Sequence, residues 1–133
     1  MHSGGCLCGA VRYEISGELA PIQVCHCSQC RKAQGGPFAT NIPVPRSAFR
    51  LLSGESTLAE YRASPEKKRV FCRTCGSPIY SARDALPETL RVRAGTLDEP
   101  LRTKLEAHYY VDSRARWWPL EDNLPRYGGA KPG

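Results

Sequence analysis

No stretch of the 133-residue chain approaches the roughly 18 consecutive apolar residues of a membrane-crossing helix, so no membrane partner is expected. The opening segment MHSGGCLCG has neither a charged leader nor an apolar run, which points to a soluble, cytoplasmic protein. An even cysteine count is also missing. There are seven cysteines, whereas a secreted disulfide scaffold carries an even number behind a signal peptide. Long basic runs are absent too: Lys67-Lys68-Arg69 is the only run of three and reads as a solvated loop. The formal charge of +6 therefore does not make nucleic acid the expected partner. Seven thiolates on two Zn²⁺ ions would lower that charge to about +3. Arginine outnumbers lysine heavily, which suits a site that grips carboxylates in bidentate fashion. With no linker and no internal repeat beyond recurring cysteine pairs, one domain is expected over residues 1–127, followed by a disordered tail at 128–133.

What the chain does contain is frequent punctuation. Eleven prolines leave little room for helix, and the apolar runs are short. Segments 10–16 and 90–94 alternate apolar and charged residues at period two, the mark of half-buried strands. Further strands are expected at 38–44, 57–61, 69–71, 78–81 and 107–111, separated by Gly, Pro, Asp or Ser turns. The best helical stretch is 28–34, with Ser28 as cap and Gly35-Gly36 as stop.

The thiols are clustered, and clustering is what metal coordination needs. In an extended segment, residues two apart face the same side, so Cys6 and Cys8 can present both sulfurs to one ion. Cys72-Arg73-Thr74-Cys75-Gly76 has the form of a zinc knuckle and supplies two more, giving a closed, structural four-thiolate site. Cys25, Cys27 and Cys30 remain, and three protein ligands with one exchangeable position is the pattern of catalytic zinc. His108 could instead close this second site as Cys₃His. His26, between two cysteines of an extended segment, should point away from the ion. Arg31 and Lys32, directly after the third thiol, are the candidate substrate-binding cations, or else exposed charges on a short helix. Trp117-Trp118 and Tyr109-Tyr110 could form a contact surface, although packing over a small core is the expected role.

The blocks GGCLCGAVRYEISG, VCHCSQCRKAQGGPF, RVFCRTCGSPIY and HYYVDSRARWWPLEDNLPRY, in this order, resemble the glutathione-dependent formaldehyde-activating enzyme family. The resemblance implies a small, mainly β fold, a β-tent of antiparallel sheets stapled by zinc. It assigns a structural ion to Cys6, Cys8, Cys72 and Cys75 and a catalytic ion to Cys25, Cys27 and Cys30. It implies a carbon–sulfur lyase that adds the thiol of glutathione reversibly to an aldehyde, formaldehyde, to give S-(hydroxymethyl)glutathione. No general base is identified. Relatives of this type include a vertebrate centromere-associated protein, and the fold resembles a Rab exchange factor. A zinc-stapled binding module without catalysis is therefore the alternative expectation.

Overall fold

A computed structural model describes residues 1–98 and 100–132. Ten strands and one helix follow one another: β1 (His2–Gly5), β2 (Arg12–Ile15), β3 (Ile22–Cys25), α1 (Ser28–Gln34), β4 (Ala39–Pro45), β5 (Phe49–Ser53), β6 (Leu58–Ser64), β7 (Lys67–Cys72), β8 (Pro78–Arg83), β9 (Thr89–Arg93) and β10 (Leu105–Tyr109). They form a three-stranded sheet, β1-β2-β5, and a seven-stranded sheet, β10-β3-β4-β9-β8-β7-β6. Pairing is antiparallel except between β3 and β10, which run parallel. The mainly β, single-domain fold expected from the alternating segments is present. β1, β3 and β5, too short and weakly patterned to stand out, are additions to it.

Period-two alternation builds the core. Tyr13 and Ile15 of β2 point inward to meet Ile42 and Val44 of β4, Ile79 of β8, and Leu90 and Val92 of β9. Phe49 stacks on Tyr13 at 4.9 Å between ring centres and meets the edge of Tyr80 at 5.6 Å, which joins the two sheets. β4 can carry Pro43 because its pairing with β3 stops at Asn41, leaving that end with one neighbour. Gly54 ends β5 in the left-handed region (φ 89°), and a Cβ there would lie 2.5 Å from the Ala10 carbonyl oxygen. Gly54→Ala is therefore expected to cost about 2–3 kcal/mol, from backbone strain plus a clash with main chain that cannot yield. A urea midpoint unchanged from wild type would contradict it.

Two expectations change. Lys67-Lys68-Arg69 is not a solvated loop; it opens β7, and Arg69 is only 9% exposed. Alternation turns that side chain onto the sheet face away from the core, where thiols compensate its charge. The tryptophans do not cover the core either: Trp117 is 67% exposed, and Trp118 meets Phe38 edge-on at 5.6 Å and Trp117 at 6.5 Å between ring centres. Tyr109, in contrast, is buried and stacks on Tyr127 at 5.4 Å. The C-terminal segment runs beside β10, with hydrogen bonds from His108 N to Pro125 O and from Tyr127 N to His108 O. Within the segment expected as a tail, Gly129 accepts a hydrogen bond from Tyr110 N at 3.0 Å, and Gly133 lies outside the described residues.

Candidate functional site

The seven cysteines form two separate groups, with no disulfide between them. In the first, the turn after β1 brings Cys6 and Cys8 against Cys72, the last residue of β7, and Cys75 in the following turn. The four sulfurs lie within 4.8 Å of one another. The Cys6–Cys8 and Cys8–Cys72 separations are 3.6 and 3.8 Å. Sulfurs bonded at about 2.3 Å to one tetrahedral ion sit about 3.8 Å apart, so the spacing fits zinc and is far too long for disulfides. Polar groups already point at the sulfurs: Val11 N–H donates to Cys6 Sγ at 3.2 Å, and Cys75 Sγ lies 3.3 Å from Ser77 Oγ. The Ser77 hydroxyl and N–H draw the Cys75 thiol down to about 5. That hydroxyl also accepts from Leu7 N at 2.9 Å, clamping the two cysteine turns together. Gly76 holds the knuckle with φ 81°, and Cys72 O accepts the Gly76 N–H.

The second group is built by the junction of β3 and α1. Cys25 ends β3, Cys27 caps the helix and Cys30 is buried in its first turn. The cap differs from the expected Ser28: Cys27 has extended backbone, and its sulfur accepts the Cys30 N–H at 3.3 Å. Gly35, left-handed at φ 67°, ends the helix as expected. The three sulfurs again lie within 4.8 Å of one another, a soft donor set that fits zinc with one position to spare.

His108 does not fill that position. Its Nδ1 is 2.8 Å from His26 Nε2, and its Nε2–H donates to Asp122 Oδ2 at 2.8 Å, so both ring nitrogens are engaged. His26 turns away from the sulfurs, as its place between two cysteines requires, and is almost fully buried. Burial and then the proximity of His108 lower its pKa to about 4, so it is a neutral imidazole at physiological pH. This chain, buried at His26 and His108 and exposed at Asp122, backs the segment between Cys25 and Cys27. Asp122 had carried no signal, because its partner is recognisable only once β10 lies next to β3.

The cations nearest the second group are also ones the sequence had not singled out. Arg69 Nη2 lies 3.8 Å from Cys30 Sγ, while its buried Nη1 has no partner among the described residues. Arg93 is buried beside it, donating through Nη1 to Asn41 Oδ1, with Nε unpaired among the described residues. Hydrogen bonds from the Cys25 and Cys27 thiols, then Arg69, push the Cys30 thiol down from its ordinary value. Burial and repulsion from Arg69 lower Arg93 to about 10, still a cation at neutral pH. Arg31 instead donates from Nε to Ser113 O at 3.1 Å, tying α1 to the segment after β10, and Lys32 is exposed. Alternation in β7 and β9 could have placed Arg69 and Arg93 on one sheet face, but not what lies over that face.

The sequence profile described as glutathione-dependent formaldehyde-activating enzyme matches residues 1–113, a span that contains both thiol groups. The chain belongs to this family. A Halomonas elongata protein provisionally named as a glutathione-dependent formaldehyde-activating enzyme is 30% identical over 126 residues, 89% of this chain and 80% of that protein. A Schizosaccharomyces pombe protein described as an uncharacterized lyase is 28% identical over 81 residues, 61% of this chain and 57% of that protein. The crystal structure of a Rhodobacter sphaeroides protein superposes with a TM-score of 0.64 at 28% identity, covering 77% of this chain and 98% of that one. Family membership agrees with a lyase-type enzyme and with metal at the cysteine groups. His26 and His108 lie within the matched span, and Asp122 lies beyond it. Among the described residues, no helix is long and apolar enough to cross a membrane.

Proposed function

We propose that the protein is a zinc-dependent carbon–sulfur lyase that joins glutathione and formaldehyde reversibly as S-(hydroxymethyl)glutathione. One observation carries this reading: Cys25, Cys27 and Cys30 converge with no fourth protein ligand among the described residues, and Cys25 borders a cavity. In the same reading Cys6, Cys8, Cys72 and Cys75 hold a second, structural zinc. At the three-thiol site, bound zinc supplies the Lewis acidity that keeps an entering thiol as thiolate at neutral pH.

The protein's own residues provide the rest. A thiolate added to three cysteine thiolates and a divalent ion would bring the charge to about −2, and Arg69 and Arg93 are placed to offset it from inside the sheet face, where little water screens them. Their unpaired nitrogens gain acceptors when such charge is present. Cys27 anchors the helix cap and the His26–His108–Asp122 chain holds the loop, so the three sulfurs are ordered before substrate arrives. The thiolate sulfur bonds the carbonyl carbon, the π pair passes to oxygen, and oxygen takes a proton that balances the one lost by the thiol. Reversal breaks the carbon–sulfur bond.

Exchange NMR on mixtures of glutathione and formaldehyde is expected to show faster interconversion with S-(hydroxymethyl)glutathione when the zinc-loaded protein is added. An unchanged exchange rate sinks the enzyme reading. That result would leave the zinc-stapled binding module, which the exposure of Trp117 favours as a second reading.

A further inference from the structure

We infer that Arg83 and Arg91 form a subsite for a carboxylate on the tail of the thiol, an assignment that rests on the reading above. A cavity of about 210 Å³ is lined by Cys25 together with Asn41, Arg83, Arg91 and Lys131. Sheet register explains the grouping. Across the central strands, Gln23 pairs with Asn41, Asn41 with Arg93, and Arg91 with Ser81, while Val24, Ile42, Leu90 and Val92 alternate into the core. Cys25 and the guanidiniums thus project from one face of the seven-stranded sheet.

Two of the cations on that face, Arg83 and Arg91, have no carboxylate partner within salt-bridge distance among the described residues. The acid near the cavity, Glu106, is taken up by the Tyr109 hydroxyl and lies 3.5 Å from Lys131 Nζ. Burial first, then repulsion from Arg83, lowers the pKa of Arg91, the signature of a half-buried cation with a like-charged neighbour. An entering anion relieves both costs, and the planar forks of two arginines suit a carboxylate. A thiol whose sulfur joins the Cys25 group has its tail in this cavity, so thiols ending in carboxylates are favoured over neutral ones. Arg31 has its Nε committed to Ser113 O.

The test uses the full chain loaded with cobalt, whose visible bands report sulfur entering the coordination shell. Titrants are glutathione, its diethyl ester, coenzyme A and 2-mercaptoethanol. Glutathione is expected to bind about 10- to 100-fold more tightly than the ester, the usual range for a charge-assisted hydrogen-bonded pair. Arg91→Gln should erase that difference while leaving 2-mercaptoethanol affinity unchanged, which also shows the centre and fold intact; Arg91→Lys should restore part of it. Arg83→Gln should act in the same direction. Coenzyme A binding weakly supports carboxylate as the anion. Coenzyme A binding as tightly as glutathione, with the same loss in Arg91→Gln, overturns carboxylate in favour of phosphate. An ester that binds as tightly as glutathione, or an Arg91→Gln variant that weakens glutathione and 2-mercaptoethanol equally, overturns the subsite. If wild type binds no thiol at all, the thiol reading itself fails, a result distinct from either.

Discussion

Cys72→Ser is expected to leave the protein unfolded at 37 °C, while Cys27→Ser folds and loses only one metal ion. Cys72 is fully buried where the β7 turn meets the turn after β1, so its sulfur helps tie the two sheets together. Structural zinc contributes about 10–16 kcal/mol in small domains, comparable with the roughly 5–15 kcal/mol that separates most folded domains from unfolded chains. Losing one of four thiolates, and burying a hydroxyl in its place, removes enough of this to cross the threshold. At position 27 the substitution is milder, because the serine hydroxyl can still cap α1 and accept the Cys30 N–H. Circular dichroism melts with metal analysis check the pair of outcomes: near two zinc ions for wild type, near one for Cys27→Ser. Equal loss of structure in both variants would defeat the division into structural and catalytic groups.

The second large effect is on chemistry. Cys30→Ala is expected to bring glutathione–formaldehyde exchange down to the uncatalysed rate and to abolish thiol-dependent changes in the cobalt spectrum, since two sulfurs cannot hold the site that the reaction uses. Arg69→Gln should keep the metal but weaken thiol binding about 10- to 100-fold, because the guanidinium 3.8 Å from Cys30 Sγ no longer offsets the thiolate charge. Unlike Arg91→Gln, it should weaken 2-mercaptoethanol as much as glutathione, because it acts on the centre and not on the tail. Metal content, exchange kinetics and titrations with both thiols separate these roles. Retained exchange in metal-depleted Cys30→Ala would show that the chemistry lies elsewhere.

The two thiol groups were legible because their spacing is local. A Cys-x-Cys or Cys-x-x-Cys sets where its sulfurs point within one turn or strand, whatever the rest of the chain does. The same holds for α1, whose start at Ser28 and stop at Gly35 follow from nearby residues, although the capping atom proved to be the sulfur of Cys27. Strands β2, β4, β6, β7, β8, β9 and β10 were visible through alternation or apolar composition. β1, with sequence HSGG, has no such pattern and exists because β2 offers it a partner.

Sequence by itself determined the mainly β class, the split of the thiols into four and three, and the family, since each depends on short-range order or on blocks kept in register along the chain. Tertiary structure alone decided what surrounds the second group. Arg69 lies 39 residues from Cys30 and His108 lies 82 from His26, and no local rule relates such positions. Pairing of β10 with β3 brings His108 to His26 and removes it from candidacy as a ligand, while the order β4-β9-β8-β7 sets Arg93, Arg91, Arg83 and Arg69 on one face. Contacts of this range come from which strands become neighbours, a choice made by burying the shared core of Tyr13, Ile42, Ile79 and Val92, and the charges on the opposite face follow from it.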